Sequence, residues 1–215
     1  MERDPQLPSL LLEWQNCYLI RKAKEQVAAF NNATQRSISM VVAPPLNSSA
    51  SWVPPPVGYV KINWDSSIKQ SRNQMGVGVI VRDHTGKVLA IQCATKCSIT
   101  HAPPAEAIGA WTAVNYARRM DYQNVVFEGD AMEIVRALNN EGNCWTTYGQ
   151  IVNAAKAEIV QHTGWVVQYV SRLANRVAHR IAKAAFMYGE GREWKEDFPF
   201  NVQEPSPDNL LRLHT

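Results

Sequence analysis

The chain has 215 residues, 46% of them hydrophobic and 19% charged, with a formal net charge of +3. At roughly 100–200 residues per domain this allows one domain with extensions, and the apolar content excludes wholesale disorder. The charge is far below that of a histone-like protein, so any affinity for nucleic acid has to come from a local patch.

Residues 9–31 read as one amphipathic helix, with Leu11, Trp14, Tyr18, Arg21, Lys22 and Glu25 at three- and four-residue steps. Residues 32–58 are rich in Asn, Ser and Pro, including Pro44, Pro45 and the run Pro54–Pro56. Proline fixes φ and lacks an amide donor, so this stretch reads as a linker. Residues 59–187 then carry clean periodicity. YVKINWDSS is a strand with Val60, Ile62 and Trp64 on one side and Lys61, Asn63 and Asp65 on the other. MGVGVIVRDHTGKVLAIQCAT is a hairpin turning at Asp83-His84-Thr85-Gly86. A helix starts at Pro103-Pro104 and runs to about Arg119, NVVFEG is a strand, and helices follow from Asp130 to about Leu138 and from Tyr148 to His162. GWVVQYV is a further strand. ANRVAHRIAKAAF closes the region as a helix with Ala174, Val177, Ala178, Ile181, Ala182, Ala185 and Phe186 on one stripe. This order predicts an α/β domain whose mixed sheet starts antiparallel and continues through parallel crossovers. Beyond Tyr188 periodicity stops and a loose tail is expected.

Cys17, Cys93, Cys97 and Cys144 are too scattered for a disulfide framework, and Cys93 and Cys97 lack a second pair for zinc. No apolar run approaches the ~18–20 residues of a membrane span, and the N-terminus has no secretory pattern. A soluble intracellular protein is expected, in either nucleus or cytoplasm.

Three acids stand at element ends. Asp65 ends the first strand on its polar side, Glu106 lies in the first turn of a helix among alanines, and Asp130 follows the fourth strand. If those two strands are parallel neighbours, Asp65 and Asp130 emerge at the carboxyl edge of the sheet, where α/β proteins bind ligands. Gathered carboxylates need a proton or a cation between them. An all-oxygen set suits Mg²⁺ or Mn²⁺, and a pair of such ions would activate water and stabilise a leaving oxygen. Each acid also has a structural reading. Asp130 with Glu133 three residues on is a helix-capping pattern, Glu106 can favour the positive end of its helix, and Asp65 can be a solvated strand end.

The segments KINWDSS, GVGVIVRDHTGKVL, PPAEAIGAWTAVNYA, VVFEGDAMEIVRAL and VSRLANRVAHRIAKAA together resemble the type 1 ribonuclease H domain. They resemble most closely its short plant version in retroelement-derived, reverse-transcriptase-like proteins. The resemblance implies a five-stranded mixed sheet flanked by helices, acting, most simply as a monomer, on RNA–DNA hybrids and cutting their RNA strand with Mg²⁺ or Mn²⁺. It places the catalytic, metal-holding carboxylates on Asp65, Glu106 and Asp130, with Glu106 also near the RNA 2′-hydroxyl. The family's fourth acid falls on His179. That residue reads either as a ligand or proton shuttle, or as a partly buried, hydrogen-bonded histidine. The loop before the last helix is short and the basic helical insertion of some cellular members is missing, so nucleic-acid contacts are expected from Ser66, Ser67, Arg172, Asn175 and Arg176; Arg180 and Lys183 read either as further phosphate contacts or as a solvated helix face, the latter above all for Lys183. Trp64, Trp111 and Trp165 sit at core-facing positions. A catalytically weak binding module of the same fold is the alternative.

Overall fold

The computed structural model describes residues 51–97, 99–189 and 191–199. The predicted helix over 9–31, most of the linker and the last part of the tail lie outside the described residues.

The first strand, β1 (Val60–Lys69), is linked through a 3₁₀ turn over Gln70–Arg72 to β2 (Gln74–Arg82), and β3 (Val88–Cys97) completes an antiparallel meander. Asp83 closes the β2–β3 turn by accepting from the Thr85 and Lys87 amides at 2.8 and 3.0 Å, with Gly86 at φ 84°. Helix α1 (Ala102–Arg119) leads to β4 (Asn124–Gly129), followed by α2 (Met132–Asn139), α3 (Gly149–Ile159), β5 (Gly164–Tyr169) and α4 (Arg176–Tyr188). The strand order is β5-β4-β1-β2-β3-β6, with β4 parallel to both β1 and β5. The strands and helices expected within residues 59–187 are all present.

The sixth strand, β6 (Arg192–Trp194), lies where a loose tail was expected, so the sheet has six strands rather than five. Its three residues are too few to show a period, and its place is fixed by tertiary partners. Its backbone pairs with Ile91–Cys93 on β3, Glu193 takes a 2.7 Å ion pair from Arg119, and the Trp194 ring meets Tyr188 edge-on at 5.1 Å.

The sheet has an apolar core on each face. One side packs Ile62, Trp64, Val77, Val79, Val125 and Phe127 against Ala105, Ile108, Ala113, Val114, Ile134 and Val152 of the first three helices. The other packs Ile80, Ile91 and Cys93 under Val177, Ala178, Ile181 and Ala185 of α4. Burying one side chain such as Phe127 or Trp64 is worth about 2–3 kcal/mol, and both are essentially inaccessible to solvent. Trp165 is also buried and Trp111 packs partly buried on the first core, as their periodicity predicts.

Two close approaches set where the helices sit. A Cβ at Gly109 would lie 3.1 Å from Trp64 Cδ1, so α1 rests directly on the indole of β1. A Cβ at Gly76 or Gly78 would collide with Ala182 O or Ala178 O, so the backbone of α4 lies on the bare stretch of β2. No helix among the described residues is long and apolar enough to cross a membrane.

Candidate active site

The parallel register of β1 and β4 pairs Asn63 with Glu128. Two residues further along each chain stand Asp65 and Asp130, just past the end of that parallel ladder; Asp65 does not end β1 as expected but lies mid-strand, opposite Gly78, because β1 runs on in its antiparallel pairing with β2. Glu106 comes from the start of α1, which Pro103 and Pro104 open without amide donors that would need partners. The seat of Gly109 on Trp64 and the Asp65 backbone lowers that helix start onto the middle of β1. Each of the three acids offers an oxygen within 4.8 Å of the others.

Asp130 is not a helix cap. Ala131 takes the N-cap position of α2, with no side-chain cap bond, so the carboxylate of Asp130 is directed to other partners. Its Oδ1 accepts from Asn175 Nδ2 at 3.0 Å, and its Oδ2 lies 3.3 Å from Arg172 Nη1. Glu106 Oε1 accepts from Ser66 Oγ at 2.6 Å, and Asp65 Oδ1 accepts from the Ser66 amide at 2.7 Å.

Crowding and burial raise the proton affinity of Glu106 and Asp65. Burial, and then the charge of Asp65, push the Glu106 carboxyl up to about 9. Burial, and then the charge of Asp130, raise Asp65 above the ordinary aspartate value. Glu106 Oε2 is buried with no hydrogen-bond donor facing it. An orphaned buried carboxylate oxygen beside two further carboxylates is a donor set that fits a hard divalent cation with oxygen ligands.

His179, one turn into α4, places Nδ1 2.7 Å from Asp65 Oδ2, and its side chain is 20% exposed. With Asp65 ionised, its carboxylate only accepts and Nδ1–H is the donor. Arg172 Nη2 sits 3.5 Å from the same nitrogen, too far to displace that bond, and its side chain is 69% exposed. Asp65, Ser66, Glu106, Asp130, Arg172, Asn175 and His179 therefore form one group. Ser67 stands beside it, opposite Gly76 in the β1–β2 ladder, and Arg176 opens α4.

Sequence reasoning missed a buried polar layer behind these residues. Lys61 and Glu128 form a 2.7 Å ion pair with both side chains almost fully buried, and Gln168 Nε2 donates to the same Glu128 oxygen at 2.7 Å. Asn63 Nδ2 donates to Glu128 Oε2 at 2.9 Å and to Asn175 Oδ1 at 3.2 Å. The available signal was the alternation of β1, which puts Lys61 and Asn63 on the same side as Asp65.

Solved structures similar to this one include ribonucleases H. The ribonuclease H1 of the halophilic archaeon Halobacterium salinarum NRC-1 is 18% identical, with 60% of this chain and 98% of that chain covered and a TM-score of 0.52. The N-terminal RNase H domain of a Mycobacterium tuberculosis protein is 19% identical, over 60% of this chain and 94% of that one, with a TM-score of 0.54. A ribonuclease H1 isolated from compost by a metagenomic approach, solved with an RNA/DNA hybrid, is 18% identical over 60% and 97% of the two chains, with a TM-score of 0.52. These likenesses establish the fold. A search of curated proteins gives no match. Residues 63–185 match the family described as reverse transcriptase-like, and that span runs from Asn63 through all three acids and His179. Built on a type 1 ribonuclease H fold, the chain belongs to the reverse transcriptase-like family.

Proposed function

We propose that the protein is a divalent-cation-dependent endonuclease that hydrolyses the RNA strand of RNA–DNA hybrids. The observation that carries this reading is the meeting of Asp65, Glu106 and Asp130 within 4.8 Å, with one buried Glu106 oxygen lacking a donor. All three acids come from one chain, so a monomer suffices. The residues that would hold Mg²⁺ or Mn²⁺ are Asp65, Glu106 and Asp130. Two such ions, when bound, would supply an activated water and charge neutralisation at the scissile phosphodiester.

The other residues prepare the site. Asn175 orients Asp130 by its 3.0 Å bond and ties it to the backbone oxygen of Trp64 at 2.8 Å. Ser66 orients Glu106, and His179 holds a proton at Nδ1 against Asp65 Oδ2. The exposed guanidinium of Arg172, anchored beside Asp130, is positioned to receive a backbone phosphate, with Ser66, Ser67, Asn175 and Arg176 as neighbouring contacts. Glu106, at the mouth of α1, is the acid placed to meet a 2′-hydroxyl.

A second reading has its own support. His179 stands where the ribonuclease H resemblance expects a fourth acid, and Arg172 already offsets Asp130, so a hybrid-binding module with little turnover is the alternative. Incubating the purified chain with a labelled RNA–DNA hybrid and either Mg²⁺ or Mn²⁺ separates them. Cleavage lost in Asp65→Asn and Asp130→Asn supports the nuclease. Retarded migration without cleavage supports the binding module. Cleavage that survives Asp65→Asn refutes the carboxylate mechanism.

A further inference from the structure

The buried polar layer forms a hydrogen-bonded line that leaves the three acids and ends outside the sheet. Trp52, ahead of β1, donates from Nε1 to Asn63 Oδ1 at 2.9 Å. Asn63 donates from Nδ2 to Asn175 Oδ1 at 3.2 Å, and Asn175 donates from Nδ2 to Asp130 Oδ1 at 3.0 Å. Both asparagines are 1% exposed, so water offers neither an alternative partner.

The direction of this line follows from its ends. An indole N–H can only donate and a carboxylate can only accept. Asn63 must therefore turn Oδ1 toward Trp52 and Nδ2 toward Asn175 and Glu128. Asn175 must turn Oδ1 toward Asn63, which leaves Nδ2 for Asp130 and the Trp64 oxygen. Trp52 is itself held independently of the acids. The Arg82 guanidinium lies 4.3 Å and the Lys61 ammonium 5.4 Å from its ring centroid, Lys61 Nζ also donates to Val53 O at 2.7 Å, and Pro55 is buried. The indole is thus a fixed donor that pins Asn63 Oδ1, adding to the hold of Glu128 on Asn63 Nδ2 and of the Trp64 oxygen on Asn175 Nδ2.

We infer that Trp52 is a positioning residue for the Asp130 carboxylate, acting through Asn63 and Asn175, so that the segment ahead of the first strand is a working part of the cation site. This rests on the reading of Asp130 as a cation ligand. Without the indole N–H, Asn63 Oδ1 is buried with no donor. Its amide then turns more freely, and the bond that orients Asn175 weakens.

Trp52→Phe in the full chain tests this, because it keeps an aromatic ring for Arg82 and Lys61 and removes only the donor. Partners behind a metal ligand change metal affinity by roughly 10–100-fold, and Trp52 stands two residues further back, so a loss of about 3–10-fold in Mn²⁺ affinity by calorimetry is expected. The rate constant for hybrid cleavage should fall by a similar factor with KM for the hybrid unchanged. Adding Trp52→Phe to Asn63→Ala should cost nothing more, since the line is already cut. Mg²⁺ should also shift the Trp52 indole resonance in the wild type and leave it unmoved in Asn63→Ala, a readout that decides the matter even if Trp52→Phe does not fold. Wild-type Mn²⁺ affinity in Trp52→Phe, or additive losses in the double variant, overturns the relay while leaving the cation site intact. Absence of Mn²⁺ binding to the wild type overturns the cation site itself, and the relay with it.

Discussion

Replacing Glu106 with glutamine should stabilise the cation-free protein, by an amount that grows with pH. The folded protein holds a proton on this carboxyl up to about pH 9, against an ordinary value of 4.5. Below the lower value both folded and unfolded chains are protonated and the group contributes nothing. Between the two values the unfolded chain has released its proton and the folded chain has not, so stability falls as pH rises, by about 1.4 kcal/mol per pH unit for one whole proton. From about pH 5 to about pH 8 the gap between Glu106→Gln and the wild type should widen by about 2–4 kcal/mol, the lower figure for a proton shared evenly with Asp65. Glutamine keeps the oxygen that accepts from Ser66 and carries no charge to bury. Urea melts of both proteins at the two pH values, with chelator present, measure the gap. Adding Mg²⁺ should then reverse the order, because a cation at about 100 times its dissociation constant returns ~2.7 kcal/mol to the wild type and little to the variant. Equal gaps at both pH values would refute the claim that burial and like charge confine a proton at Glu106.

Three other perturbations have defined outcomes. Gly78→Val should cost about 1–3 kcal/mol in urea melts and detach His179 from Asp65, because the new side chain occupies the seat of α4 against Ala178 and Ala182. His179→Asp adds a carboxylate beside Asp65 and should tighten Mg²⁺ binding on the order of tenfold by calorimetry, through ligand charge; unchanged affinity would show that position 179 does not face the cation. Arg172→Ala should weaken hybrid binding and flatten the plot of log affinity against log salt by about 0.9, one phosphate contact's worth; an unchanged slope would remove Arg172 from the interface.

The placement of the acids was legible because strand alternation fixes Asp65 on β1 and a proline-started helix fixes Glu106, while the fourth strand ends immediately before Asp130. Those are local rules, and they needed only the parallel pairing of β1 with β4 to converge. The capping motif at Asp130-Ala131-Met132-Glu133 was an equally local signal, but tertiary bonds from Asn175 and Arg172 outcompete it, and the helix begins one residue later. The Lys61–Glu128 pair and the Asn63–Asn175 bond link positions 67 and 112 residues apart, which no window along the chain can register. The side chains of Ser66 and Asn175, expected to touch nucleic acid, are each bonded to one of the acids. Short strand β6 escaped for a related reason, since main-chain pairing to β3 leaves no side-chain period.

That edge strand also covers a part of β3 on which other β-segments could add. Without Arg192–Trp194, the middle of β3 would present a row of bare amides and carbonyls, the template on which foreign β-segments add. A three-residue cover bearing an arginine and a glutamate is short and charged enough to be a poor template in its turn. Guarding the edge with so few residues leaves it dependent on one short segment: a cut near Gly191 would keep the three acids in place and bare the middle of β3 to strand addition.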